Sequence, residues 1–206
     1  MDQLFSPKNK GKIEVLSEMR DTIGIIMSYQ GVDISKPFSS DKFMNAVDFL
    51  KKKISDGYIR QVKGNDYKED LISGDAIAVI GWSGDLFQLA IENNGKFDFA
   101  IPESGGTISG DNFMVPSTST KAVDASKLVN YYYDPEIAAK VAAYVNYVCP
   151  VVGAQEAMAK VDAKLQNSEF IFPTQATLDR LKIFRPLTDA EQTSFETAFQ
   201  AAAGNA

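Results

Sequence analysis

A short apolar run that stops at a glycine places the tightest constraint on the fold of this chain. Residues 76–80, with the sequence AIAVI, are continuously apolar and are followed at once by Gly81-Trp82-Ser83-Gly84. Such a run without alternation is typical of a strand buried on both faces, as in a parallel sheet covered by helices. The glycines after it predict a tight connection from the strand end into a helix over residues 85–92.

The patterns around this strand predict an α/β lobe with a mainly parallel sheet. Residues 12–16 alternate in polarity as a strand does, and Ser17 then precedes a helix that runs toward Gln30. Two more helices are predicted, after Ser40 and over residues 66–72, before the apolar strand begins. Strands are also expected over residues 97–101 and 112–116, and helices are expected from about residues 122, 135, 154, 174 and 188.

Composition narrows the classes of function. The chain has no histidine and a single cysteine, Cys149, so a Ser-His-Asp or Cys-His catalytic site and an intramolecular disulfide are excluded within it. No catalytic residue, cofactor or metal ligand is assigned. An enzyme that uses Asp21 and Asp111 as an acid and base pair is a remaining alternative, and the lack of a nucleophile motif argues against it.

The net charge argues against nucleic-acid binding, and the lengths of the apolar runs argue against a membrane span. The formal net charge is −6, which repels phosphate backbones, so no nucleic-acid partner is expected. The same charge does not oppose a cationic ligand. No apolar run approaches the roughly 20 residues that a membrane span needs. The first five residues, MDQLF, lack a basic n-region and an apolar h-region, so we expect the secretion leader to be absent from this chain.

Four sequence strings resemble those of one known family, the spermidine/putrescine-binding proteins. These proteins are the solute-binding components of ABC-type polyamine importers. The strings occur in the family's order along nearly the whole chain. They are VLSEMRDT at residues 15–22, GGTISGDNFMVP at 105–116, KLVNYYYDP at 127–135 and NYVCP at 146–150.

The resemblance implies a periplasmic-binding-protein-like (type II) fold, in which two α/β lobes bind a ligand between them. By analogy, residues 1–105 and 160–206 form the second, C-terminal lobe. Residues 106–159 then supply the crossing segment and a helical part of the first lobe, whose N-terminal part is missing here. The glycine-rich stretch over residues 102–110 is the candidate hinge.

The resemblance also implies four ligand-binding residues: Asp21, Trp82, Asp111 and Tyr147. Asp21 and Trp82 both follow strands of the predicted sheet, so we expect them to lie on one face, close enough to contact one ligand. A polyamine is a methylene chain between ammonium groups, which carboxylates and aromatic faces both suit. Taken as residue types alone, the same four have structural explanations. Asp21 suits the first turn of a helix, Asp111 a turn after a glycine, Trp82 core packing after a strand, and Tyr147 a half-exposed helix end.

Three positions depart from the family pattern. Ser109 stands where relatives often carry a tryptophan, and Ile183 and Phe184 stand where they present a tryptophan and a glutamine. These differences leave the preferred polyamine open and favour a shorter one. The expected location is extracytoplasmic, as a periplasmic or cell-surface protein.

The expected partners are the polyamine, a membrane permease, and either the missing N-terminal part or a second copy. A binding protein of the same fold for ferric ion is the alternative, because the tyrosine run 131–133 offers metal ligands. Adjacent tyrosines on a helix point about 100° apart, which argues against their convergence on one metal.

Overall fold

The computed structural model describes residues 1–204. The strand predicted over residues 12–16 lies at the centre of a parallel sheet. The strands are β1 (Ile13–Leu16), β2 (Ile59–Lys63), β3 (Ala78–Val79), β4 (Gly106–Thr107) and β5 (Leu181–Lys182). The first three form a sheet in the order β2-β1-β3, and β4 pairs with β5; each of these pairings is parallel. The α/β class with a parallel sheet is therefore as predicted.

Helices fill the connections, because parallel strands need long crossovers. They are α1 (Met19–Tyr29), α2 (Ser40–Ser55), α3 (Tyr67–Ser73), α4 (Ser83–Glu92), α5 (Ala122–Tyr132), α6 (Pro135–Val145), α7 (Ala154–Val161), α8 (Gln175–Asp179) and α9 (Asp189–Ala203), with a short 3₁₀ turn at Pro7–Asn9.

The chain divides into two compact units. Unit 1 contains residues 1–82 and 100–109 and the chain from residue 179 onward, and unit 2 contains residues 83–99 and 110–178. The chain thus passes from one unit to the other after residues 82, 99, 109 and 178.

Unit 1 is built around β1, whose four residues are all buried. Helices α1, α2 and α9 supply the apolar side chains that cover the sheet, and α2 packs against both of the others. The ring of Phe43 on α2 stacks on the ring of Phe195 on α9, with centroids 3.9 Å apart. The last helix is therefore an integral part of the core that the first strand begins.

Unit 2 is helical within the described residues, and its core is small. Helices α6 and α7 pack together around Ala139, Ala142, Met158 and Ile171. Asp134 caps α6 by accepting hydrogen bonds from two backbone N–H groups, ahead of a proline at the first helical position, as the sequence pattern predicts. Helix α5, by contrast, has no buried residue.

Two predicted strands are wrong, and the strand predicted over residues 76–80 is shorter and less buried than expected, because β3 covers two residues at an edge of the sheet and both are half-buried. Residues 97–101 and 112–116 are in no strand of the part that the structure describes. In the first segment, the Phe99 ring packs edge to face against Phe170, with centroids 5.8 Å apart, instead of lining a sheet. The second segment is exposed, with Phe113 and Met114 largely in solvent. An apolar pattern predicts an extended segment, but a strand also needs a partner edge.

The unit boundaries differ from the predicted lobe boundaries. The expectation grouped residues 1–105 with 160–206, whereas residues 83–99 and 160–178 belong to unit 2. The physical reason is local packing: Phe87 on α4 lies 4.8 Å from Phe170, centroid to centroid, so this helix shares a cluster with the later segment. The assignment of the two units to the two lobes of a binding protein stays a prediction.

Candidate functional site: two carboxylate and aromatic pairs

Asp21 and Trp82 form a hydrogen-bonded pair in unit 1. Trp82 lies three residues after the end of β3, and Asp21 lies in the first turn of α1, which follows β1. The indole Nε1 donates to Asp21 Oδ2 at 3.0 Å, and both side chains are half-buried. The expected proximity of these two residues on one face is thus confirmed, and it follows from their positions after neighbouring parallel strands.

Trp82 is also held at its backbone. Its N–H donates to the hydroxyl of Tyr67 at 3.3 Å, and the Tyr67 ring, which is fully buried, tilts against the indole with centroids 6.3 Å apart. The indole is thereby supported from the interior of unit 1 while its ring stays partly exposed. This arrangement differs from simple core packing, in which a tryptophan is covered on both faces.

Tyr147 and Asp85 form a second pair, in unit 2. The Tyr147 hydroxyl donates to Asp85 Oδ1 at 3.1 Å. Its ring lies directly on the start of α4, because a Cβ placed on Gly84 would stand 2.4 Å from Tyr147 Cε2. Burial, followed by the negative charge of Asp85, raises the pKa of the Tyr147 hydroxyl well above its usual value. The hydroxyl therefore stays protonated and acts as a donor.

Asp111 lies in unit 2, as the second pair does. It is exposed and lies outside regular structure, and its negative charge contributes less to the raised pKa of the Tyr147 hydroxyl than burial and Asp85 do. The four predicted residues thus fall into two groups. Asp21 and Trp82 lie in unit 1, and Asp111 and Tyr147 lie in unit 2.

Asp85 is the residue that sequence reasoning missed. Its position gave some indication of a role in the site, since Asp85 follows Trp82 by three residues and lies in the first turn of α4. Asp21 was singled out from the same kind of position, with the help of the family resemblance. An aspartate in a first helical turn is common for electrostatic reasons, so the pattern alone does not single it out.

The three residues that depart from the family pattern differ in how deeply they are buried. Ser109 and Ile183 are exposed, whereas Phe184 is buried in the core of unit 1, where its ring meets Phe38 edge to face at 5.6 Å. Phe184 is therefore a packing residue, and no aromatic wall is contributed from that position.

Both groups have the chemistry of a site for an organic cation. Each places a carboxylate beside an aromatic ring, which together offer charge-assisted hydrogen bonds and a cation–π face. Within residues 1–204 no group of three histidine, cysteine, aspartate or glutamate side chains is arranged to hold a metal ion. In that same part of the chain, no helix is long and apolar enough to cross a membrane.

Comparison with known proteins agrees with this chemistry. The putrescine-binding periplasmic protein PotF of Escherichia coli is 26% identical over 205 residues, which cover 93% of this chain and 54% of PotF. The spermidine/putrescine-binding periplasmic protein of the same organism is 21% identical and is covered to 48%. The chain spans about half the length of the curated relatives that it matches.

Solved structures show the same fold. A structure from Listeria monocytogenes matches 98% of this chain with a TM-score of 0.84 at 22% identity, and 60% of that structure is covered. The spermidine/putrescine substrate-binding protein PotD of Streptococcus pneumoniae matches 99% of the chain with a TM-score of 0.78 at 19% identity, covered to 61%. The sequence profile of one family matches residues 1–169. The chain accordingly belongs to the bacterial extracellular solute-binding proteins.

Proposed function

We propose that this chain is part of the solute-binding component of an ABC-type import system for polyamines such as putrescine and spermidine. The observation that carries the proposal is the Asp21–Trp82 pair, in which a partly exposed indole stands against a carboxylate at the carboxyl end of a parallel sheet. Ligands of α/β sheets bind at this end of the strands. The relatives named for putrescine and spermidine binding support the same ligand class.

The second pair extends the proposal to Asp111, Tyr147 and Asp85. A polyamine carries an ammonium at each end, so its recognition needs more than one carboxylate along a path of flat apolar surface. In our proposal Asp21 and Trp82 of unit 1 bind an ammonium group and the methylenes next to it. Asp111 and Tyr147 are proposed as ligand-binding residues of unit 2, considered by itself.

The proposed partners and location follow from the family. A solute-binding protein of an importer closes on its ligand and presents it to a membrane permease. The relatives are named periplasmic, so we place this chain outside the cytoplasm, free or anchored at the surface. No enzymatic activity is proposed.

A further partner is proposed for the exposed apolar surface of unit 2. Phe113 and Met114 are 75% and 85% exposed, and Val123 and Leu128 on α5 are 68% and 75% exposed. Exposed apolar surface costs about 25 cal/mol per Å² relative to burial, and large patches mark interaction sites. We propose that the part of the relatives that this chain does not span, which we expect to be N-terminal, covers this surface or, without it, a second copy of the chain does.

Calorimetric titration with putrescine, spermidine and ferric citrate tests the proposed ligand. We expect heat from the polyamines, none from ferric citrate, and affinities far weaker than those of a full-length binding protein. Replacing Asp21→Asn should weaken putrescine binding about tenfold, since a hydrogen bond to a charged group contributes roughly 1.5–3 kcal/mol. Trp82 is the only tryptophan, so its emission reports occupancy of the same site.

Asp41→Asn is the matched control. Asp41 also lies in the first turn of a helix of unit 1, but it is exposed and is not part of the pair. It should bind putrescine like the wild type. The proposal fails if no polyamine binds at millimolar concentration, or if both aspartate variants lose the same affinity.

A further inference from the structure

Asp21 is approached by a second donor, from the strand β4. The Thr107 hydroxyl Oγ1 lies 3.5 Å from Asp21 Oδ1, which is longer than a typical O–H···O hydrogen bond, while the Trp82 indole donates to the other oxygen. One carboxylate oxygen thus accepts from the protein, and the other faces a hydroxyl group nearby. A carboxylate has about four acceptor positions, so acceptor capacity remains for a ligand.

Gly24 makes the approach of Thr107 possible. Residues 21 and 24 are three apart on α1, so they lie on the same face of the helix. A Cβ placed on Gly24 would stand only 2.8 Å from Thr107 Cγ2, so a larger residue there would displace the Thr107 side chain. A glycine inside a helix is unfavourable by itself. Its presence here is explained by the close contact of α1 with β4, which brings the Thr107 hydroxyl beside Asp21.

Thr107 and Tyr67 therefore hold the pair from two sides. Tyr67, from α3, accepts the backbone N–H of Trp82, and Thr107, from β4, donates toward Asp21. We propose that Tyr67 and Thr107 are positioning residues that fix the Asp21 carboxylate and the Trp82 ring before a ligand arrives. This inference rests on the proposed ligand role of Asp21 and Trp82. Fixing binding groups in advance raises affinity, because less freedom is lost on binding.

The first test uses the ligand-free protein. Because Trp82 is the only tryptophan, time-resolved fluorescence anisotropy reports the motion of this one ring. Thr107→Val removes the hydroxyl and keeps the shape, and Thr107→Ser keeps the hydroxyl. We expect a new fast decay component in Thr107→Val and Tyr67→Phe, and wild-type behaviour in Thr107→Ser. Tyr29→Phe is the control, since that hydroxyl pairs with Asp2 elsewhere in unit 1.

The second test measures putrescine affinity in the same proteins. Thr107→Val and Tyr67→Phe should bind three- to tenfold more weakly, Thr107→Ser within twofold of the wild type, and Tyr29→Phe unchanged. Thermal melts followed by circular dichroism identify a variant that has lost its fold. Should Tyr67→Phe prove unfolded, the Thr107 variants decide the question alone.

The two tests separate this inference from the proposed function. If the wild type binds no polyamine but Thr107→Val still frees the indole, the positioning role holds and the ligand is another one. If the wild type binds putrescine while Thr107→Val and a folded Tyr67→Phe show unchanged anisotropy and affinity, the positioning role is overturned. A loss in Thr107→Ser equal to that in Thr107→Val also overturns it, because the hydroxyl would then not be the cause.

Discussion

Glu14 is an ionisable residue in the buried core of unit 1. It lies in the central strand β1 with no exposed side-chain surface, and Arg60 Nη1 donates to its Oε1 at 3.0 Å. Its other oxygen, Oε2, has no donor. Burial, and then the neighbouring Asp70, raises the pKa of the Glu14 carboxyl, while Lys63 lowers the pKa of Asp70. The fold therefore favours the protonated form of the Glu14 carboxyl more than water does, chiefly through its burial and the neighbouring Asp70.

This assignment predicts a pH dependence with a definite sign. An acid whose pKa is raised on folding contributes stability below its ordinary value of 4.5, and this contribution is lost as the pH rises through the raised pKa. Glu14→Gln keeps a donor toward Asp70 and cannot ionise. We expect its unfolding free energy, from urea titrations between pH 4.5 and 8, to fall less with rising pH than that of the wild type.

Glu69→Gln serves as the comparison for this prediction. Glu69 is exposed on α3, next to Asp70 in the sequence, and it has no part in the buried group. It should follow the wild-type pH profile. Equal pH profiles for Glu14→Gln and the wild type would show that Glu14 is ionised in the folded protein.

At the scale of single elements, the start of α9 is the best-defined helix terminus. Thr188 accepts from the Glu191 N–H while the Glu191 carboxylate accepts from the Thr188 N–H, which is a complete capping box. Arg185 adds two hydrogen bonds to the same carboxylate. Arg185 and the Thr188 N–H lower the pKa of Glu191 to about 2.

Acid unfolding tests this terminus. A carboxyl group whose pKa is lowered on folding contributes stability above its ordinary value of 4.5, and the contribution is lost as the pH falls toward 2. Glu191→Gln lacks this contribution, so the variant should be less stable at pH 7, and the difference from the wild type should shrink below pH 4. Glu196→Gln, at a half-buried position on the same helix, should match the wild type at both pH values, and a difference that stays constant with pH would contradict the argument.

The sequence predicts a helix or strand well when the residues that determine it are close together in the sequence. The helices have apolar spacing within their own residues, and α6 and α9 also have a side-chain cap at the residue before them. Helices α2, α6 and α9 lie where these patterns predict. Strand β2 was missed because Arg60 and Lys63 interrupt its apolar pattern. These two cations face Glu14 and Asp70, which come from other parts of the chain, so the reason for their burial is visible only in three dimensions.

The candidate site likewise contains residues that the sequence predicts and contacts that it does not. The family resemblance identified Asp21 and Trp82, and their positions after parallel strands predicted that they meet. The Tyr147–Asp85 hydrogen bond joins residues that are 62 positions apart, and the Thr107–Asp21 contact joins residues 86 apart. Such contacts depend on the register of distant segments, for which a single sequence carries no local signal. Tyr67 was missed for the same reason.

At the scale of the whole molecule, the exposed surface of α5 and residues 112–115 predicts association. Light scattering on a size-exclusion column, across a range of protein concentrations, should show a monomer that gives way to a dimer. Replacing Phe113 and Leu128 together by serine should restore the monomer, because both side chains are at least 75% exposed and contribute little to the fold. The matched double variant replaces the exposed Ile72 and Ile91, outside this surface, and should still associate. A wild-type monomer at every concentration would rule out the second copy as the cover of this surface.

The closing of unit 1 by α9 sets an order of events during synthesis on the ribosome. Residues 1–82 emerge before unit 2 does, yet Phe43 has no stacking partner until Phe195 has been made. The last residue of unit 2 is residue 178, so the whole of unit 2 is synthesised within this interval. During the interval the apolar core of unit 1 lacks the ring that completes the Phe43 stack. Of the two units, the one that begins earlier along the chain is the last to be completed.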